Sequence, residues 1–240
     1  VAVTWDDHGL ILSVRRHGEH DAIISLLTEN NGRYAGLVKA GASRRFKGML
    51  QPGNIVKATW RARLDEHLGT ITADLVHSYS AELMQDADRL AALSSLCALI
   101  DAVLPERQPQ PEIERFTVAF LEQLNGDGWA ARYALWELGV LRDLGFGLDL
   151  TVCAGTGSVE NLVYVSPKSG RAVSAEAGAP YANRLLALPA FLRDDIDHVS
   201  DSDIASALAL TGHFFEAHVF SPHRQPMPAA RVRFVERLRG

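Results

Sequence analysis

Val56-Lys57-Ala58-Thr59-Trp60-Arg61-Ala62-Arg63-Leu64 alternates without a break. Side chains on an extended chain repeat every two residues, so Val56, Ala58, Trp60, Ala62 and Leu64 share one face while Lys57, Thr59, Arg61 and Arg63 share the other. The pattern predicts a half-buried strand, apolar inside and cationic outside. After it, a polar turn at 65–69 leads to a further strand over 70–76. Before it, apolar runs at 9–14 and 22–27 flank a polar turn at 17–21. Asn31-Gly32 then sits between two apolar runs, a hairpin signal because both central positions of a type I′ turn need positive φ. Five short strands separated by turns within the first 78 or so residues predict a small closed barrel, for which an OB-like barrel is the best fit.

From Ala81 onward the period becomes helical. Leu90, Leu93, Cys97, Ile100 and Leu104 keep helical spacing until Pro105. Pro111 suits the first turn of a helix that uses Ile113, Phe116, Phe120 and Leu124. Residues 129–144 are apolar on most sides, as in a buried central helix, and Gly145 supplies the stop. Ser200 and Asp203 form a capping-box pattern before 204–219, and a short basic helix is expected over 229–238. Between the helical stretches, 151–178 has no helical period, one strand-like run at 162–165 and a turn at 166–170. The expected class is therefore α+β and multi-domain: an OB-fold barrel over 1–79 and a helical domain over 80–240 that carries the insert 151–178.

Of the 240 residues, 47% are hydrophobic and 22% charged, enough apolar surface for a sizeable core. No apolar run approaches the ~18 residues of a membrane span. The first eight residues carry acids and no signal-peptide core, and two cysteines are too few for a disulfide framework, which points to a reducing cytoplasm. The net charge of −5 conceals an asymmetry: residues 1–78 hold +2 and the rest −7. Residues 33–64 contain eight cations (Arg33, Lys39, Arg44, Arg45, Lys47, Lys57, Arg61 and Arg63) and no acid. Field depends on local density, so this segment can present a positive face on an acidic protein.

Phosphate backbones need such a face, because each neutralised phosphate releases counterions whatever the sequence. The loop 39–48, KAGASRRFKG, and the outward side of 57–63 are the candidate contacts. Phe46 is the candidate stacking ring, whereas Trp60 belongs to the core face. The plain alternative is a solvated barrel edge. Arg231, Arg233, Arg237 and Arg239 either balance a helix dipole or dock an acidic-hydrophobic peptide. Other chemistry lacks its residues. There is no G-x-x-x-x-G-K-[ST], no G-x-S-x-G, and no S-x-x-K to accompany Lys168-Ser169-Gly170. His213, Glu216 and His218 lack the H-E-x-x-H spacing. A zinc ribbon at Cys153 would need three further ligands, and positions 156, 174 and 177 are Thr, Ser and Ala.

The order of a basic small barrel with KAGASRRFKGMLQPGN, helices, an insert reading C-x-x-T-G and then YVSPKSGRAV, and further helices resembles the RecO family over essentially the whole chain. The resemblance implies an OB-fold barrel, an all-helical body and an insert that is a zinc ribbon in some relatives and degenerate here. It also implies no enzymatic turnover and no cofactor. Implied activities are binding of single- and double-stranded DNA, annealing of complementary strands and loading of a recombinase onto DNA coated by single-strand-binding protein. The implied partners are RecR and the acidic C-terminal tail of that protein, with Lys39, Arg44, Arg45 and Lys47 in the DNA-binding role. A protein-only adaptor and an RNA-binding OB protein remain alternatives on the residues alone.

Overall fold

The computed structural model describes residues 3–193 and 199–239; Val1 and Ala2 of the acidic N-terminal segment lie outside them. The residues fall into two compact units, Val1–Arg115 with Pro228–Phe234, and Phe116–Met227 with Val235–Gly240.

In the first unit, β1 (Val3–His17), β2 (Asp21–Thr28), β3 (Gly32–Val38), β4 (Asn54–Ala62) and β5 (Thr70–Ser78) close a barrel in the order β1-β2-β3-β5-β4. β1 is long enough to pair with β4 through its first half and with β2 through its second, and its register with β2 shifts by a bulge between Ile11 and Ser13. Closure comes from one parallel pair, Leu37 of β3 with Thr70 of β5. The inward residues are those the alternation selects. Ile11, Ile24, Leu26, Tyr34, Val38, Val56, Ala58, Trp60 and Ile71 form the core, with Leu50 entering from the β3–β4 connection. Trp5 stacks on Trp60 at 6.0 Å, and Tyr34 meets both rings edge-on. Gly36 sits where a Cβ would lie 2.6 Å from Ile71 Cγ1, so the core leaves no space for a side chain there.

Two local expectations are corrected. The β2–β3 turn spans three residues, 29–31, and only Gly32 has positive φ (+73°), so this is no two-residue type I′ turn. Asp7 sets the longer turn by accepting hydrogen bonds from Asn30 N (2.9 Å) and Asn31 Nδ2 (2.7 Å). The alternation of β4 stops at Ala62, which pairs with Val3, and Leu64 is 51% exposed in the following loop.

α1 (Tyr79–Glu82) and α2 (Ala87–Val103) follow, and α2 lies against β1 and β2. Asp86 caps α2 by accepting from Asp88 N and Arg89 N; chiefly through that Arg89 bond its carboxyl is held below the usual range. Cys97 Sγ lies 3.6 Å from Ile11 O, and burial followed by the nearby Asp101 pushes its thiol up to about 12. Residues 80–115 thus group with the barrel.

The second unit holds most of α3 (Pro111–Gln123), α4 (Trp129–Leu141) and α6 (Asp201–Phe214). Trp136 Nε1 donates to Thr117 Oγ1 (3.0 Å), and Thr211 donates to the buried Glu137 on α4. Gly145, at φ +89°, ends the α4 region as expected, and Ser200 with Asp203 forms the capping box of α6. The insert 151–178 contains more strand than its sequence announced: β6 (Leu162–Val165) and β7 (Ala172–Ser174), followed by the short α5 (Ala175–Gly178), and β8 (Leu186–Ala187) beyond the insert completes a sheet in the order β7-β6-β8. α7 (Ala229–Arg239) ends the chain.

Candidate nucleic-acid interface

The β3–β4 connection is a run of turns closed by its own hydrogen bonds. Phe46 N donates to Ser43 O (3.1 Å), Leu50 N to Phe46 O (2.8 Å) and Gln51 Nε2 to Lys47 O (2.6 Å). The buried Asn54 amide donates to Gly48 O (3.1 Å) and Met49 O (3.0 Å) while its oxygen accepts from Ser78 and Ser80, tying the end of the loop to two strands. Lys39, Arg44, Arg45 and Lys47 project from this frame, exposed. The loop also rests on the β1–β2 turn: Ala42 N donates to His20 O (2.9 Å) and Ala40 N to Asp21 Oδ1 (2.8 Å). Tertiary contact therefore adds exposed Arg15, Arg16, His17 and His20 to the neighbourhood of the loop.

On β4, Lys57 and Arg61 point outward as the alternation requires, and Arg63 is exposed just beyond the strand. Lys57 lies opposite His8 and Asp74, and Arg61 opposite Thr4 and Thr70. Thr59 donates to Asp6 on the same face. This surface is mixed in charge.

Arg33 belongs to neither group. Its side chain is 18% exposed, Nε donates to Leu104 O (2.8 Å), and Nη1 lies 3.3 Å from Asp101 and 3.5 Å from Glu106. Expected among the DNA contacts, it is instead engaged within the protein, where acids carried by α2 and the segment after it neutralise it. Phe46 is also reassigned in part, since its ring packs against the barrel core and the Arg45 guanidinium lies 5.7 Å over it. Tyr34 and Trp60 are core residues. On α7, Arg231 is buried at 5% exposure, which removes it from the expected partner-binding set, while Arg233 and Arg237 are exposed.

Two family models match, Recombination protein O N terminal over residues 3–79 and Recombination protein O C terminal over residues 84–226. The DNA repair protein RecO of Rhodospirillum rubrum is 47% identical over 244 residues, covering 99% of this chain and 97% of that protein. Its namesake in Rhodospirillum centenum is 49% identical, with 98% and 94% covered, and that of a Jannaschia species 45% identical, with 98% and 96% covered. The chain belongs to the RecO family.

The insert was expected to be a degenerate zinc ribbon without metal ligands. Cys153 and Ser174 meet across it: Ser174 N donates to Cys153 Sγ (3.2 Å), and Sγ lies 3.5 Å from Ser174 Oγ. Hydrogen bonding from Ser174, then from Thr156, holds the thiol down at about 6. Ser174 Oγ also accepts from Ala177 N (3.4 Å). One thiol, two hydroxyls and a methyl stand at positions 153, 156, 174 and 177, a donor set that does not fit zinc. Among the described residues no group of three or more His, Cys, Asp or Glu is placed to hold a metal.

Elsewhere in the second unit a cavity of about 210 Å³ is lined by Leu135, Leu138, Gly139, Arg142 and Leu148. Arg142 Nε donates to Asp143 Oδ1 (2.9 Å). Among the described residues no helix is long and apolar enough to cross a membrane.

Proposed function

We propose that this chain is a non-catalytic mediator of DNA repair and recombination. It binds single- and double-stranded DNA through barrel cations, anneals complementary strands and helps load a recombinase onto DNA coated by single-strand-binding protein. Membership of the RecO family gives the repair and recombination role. The observation that carries the DNA reading is the loop 39–48: four exposed cations on a hydrogen-bonded frame, none of them in an ion pair among the described residues. Unpaired surface cations exchange counterions for phosphates at little reorganisation cost, which yields sequence-independent affinity. Strands neutralised in this way repel each other less, and complementary segments can then sample pairing.

The partners are RecR and the acidic C-terminal tail of single-strand-binding protein. The cavity beside Arg142 is suited to an acidic-apolar chain end, because apolar walls accept the side chains and the guanidinium keeps donors beyond the one Asp143 uses. Docking there raises the local concentration of the mediator at coated DNA.

The test is the triple variant Arg44→Ala/Arg45→Ala/Lys47→Ala, titrated with single-stranded DNA over a range of salt. Each lost contact removes roughly 0.7 from the slope of log affinity against log salt, so three remove about 2. A folded triple variant with the parental slope refutes the DNA reading and leaves a protein-only adaptor. Equal loss of matched RNA binding, with RNA preferred in competition, favours the RNA alternative.

A further inference from the structure

We propose that the DNA path crosses the barrel end built by the β1–β2 turn and the 39–48 loop, that Arg15 and Arg16 are phosphate contacts there, and that the outer face of β2 and β3 takes no part. This deepens the reading above and rests on it.

The outer face of the second and third strands, with the β1–β2 and β4–β5 loops beside it, is the customary ligand surface of an OB barrel; here much of the sheet face is taken by the protein itself, and of that surface the β1–β2 turn stays open. Its outward residues are Asp21, Ile23, Ser25, Leu27, Arg33, Ala35 and Leu37, among which Arg33 is the only cation. Asp101 and Glu106 neutralise it. Ser25 and Leu27 are buried, and Ser25 Oγ donates to Asp101 Oδ1 at 2.7 Å. A phosphate backbone laid along this face would meet no free positive charge.

The seam between β3 and β5 is closed in the same manner. Below the Leu37–Thr70 pair, Glu106 bridges Arg33 as a parallel partner, and Arg107 N donates to Arg33 O (2.8 Å). The Arg107 guanidinium lies 4.9 Å over Tyr34 and 5.9 Å over Trp60, and it donates to the carbonyls of Asp65 and His67. The two core rings nearest this seam are therefore capped by an arginine.

The barrel end has the opposite character. Arg15, Arg16, Lys39, Arg44, Arg45 and Lys47 are all exposed, and none has an ion pair among the described residues. The neighbouring acids are Glu19 and Asp21, and one Asp21 oxygen already accepts from Ala40 N. The Ala42–His20 hydrogen bond makes turn and loop contiguous, so the six charges form one field.

The experiment titrates the full chain with a single-stranded homopyrimidine DNA across salt, comparing Arg15→Ala/Arg16→Ala with the parent and with Arg44→Ala/Arg45→Ala/Lys47→Ala. The double variant is expected to lose about 1.4 in slope, and Arg15→Lys/Arg16→Lys to restore it. Circular dichroism confirms folding, and single Gln substitutions at each position report separately should the double Ala variant fail to fold. A parental slope at 15 and 16 alongside a flattened slope in the triple variant overturns this inference and spares the function. Parental slopes in both overturn both.

Discussion

Replacing Arg33 with Met should cost stability and leave DNA binding alone. The side chain forms a hydrogen bond to Leu104 O and ion pairs to Asp101 and Glu106 while 18% exposed. Glu106 is 52% exposed, so solvent screens that pair to a few tenths of a kcal/mol. Asp101 is 26% exposed, and with Arg33 gone it keeps the hydrogen bond from the Ser25 hydroxyl but loses its guanidinium partner. Removing one partner of a fully buried pair costs about 3–5 kcal/mol. Partial solvation reduces this, and Met preserves the apolar stem, so the expected loss is about 2–3 kcal/mol once the Leu104 bond is included. For a chain of this size that corresponds to a fall in Tm of roughly 4–12 °C. Thermal denaturation measures the loss. A double-mutant cycle with Asp101→Asn should return a coupling above roughly 0.5 kcal/mol if the pair carries it. Salt-dependent DNA titration of the same variant should give the parental slope. An unchanged Tm, or a slope reduced by about 0.7 as for a lost phosphate contact, would refute the reasoning.

Two further outcomes follow from the titrating groups. Burial, then the nearby Glu29 and Asp7, raises the Glu114 carboxyl above its ordinary value of 4.5. The folded state therefore binds the proton more tightly than the unfolded state, and this group's contribution weakens as pH rises from the ordinary value through the raised one. Glu114→Gln should accordingly melt higher than the parent at neutral pH, with the gain vanishing in acid; an equal gain at both pH values would contradict this. In the insert, Cys153 Sγ and Ser174 Oγ are 3.5 Å apart, near the ~3.8 Å between sulfurs on a tetrahedral zinc. Thr156→Cys/Ser174→Cys/Ala177→Cys should therefore bind one zinc per chain by elemental analysis and melt higher, and a metal-free variant would show that the two turns are not in register.

Local periodicity made most of the barrel legible, and contacts distant in sequence account for the remainder. The pattern through Val56, Ala58 and Trp60 is set by neighbouring residues, and it survives until the partner strand runs out at Val3. Leu64 lies past that point, and nothing within residues 56–64 records where β1 begins to pair. Arg33 looked available because its neutralising acids lie 68 and 73 positions onward, on a segment whose docking is a tertiary event. Arg15 and Arg16 fall outside the acid-free run, although their place beside the turn at 17–21 was the available clue. Phe46, Met49 and Leu50 keep i, i+3, i+4 spacing, and that period signals a ring turned toward the core.

The closure of the barrel connects these observations. A single parallel pair joins β3 to β5, and a seam so sparsely bonded exposes backbone groups and the Trp5–Tyr34–Trp60 cluster unless something covers it. The segment after α2 covers it, at the expense of a positive φ at Arg107 (+61°), a conformation that a non-glycine residue keeps only where its surroundings hold it. Here two loop carbonyls, two aromatic faces and a main-chain bond to Arg33 do so. A barrel sealed in this way leaves the proposed DNA contacts only what lies outside the seal. Outside it lies the turn-and-loop end, whose exposed cations form no ion pair among the described residues, while Asp101 and Glu106 are engaged with Arg33 on the sealed side.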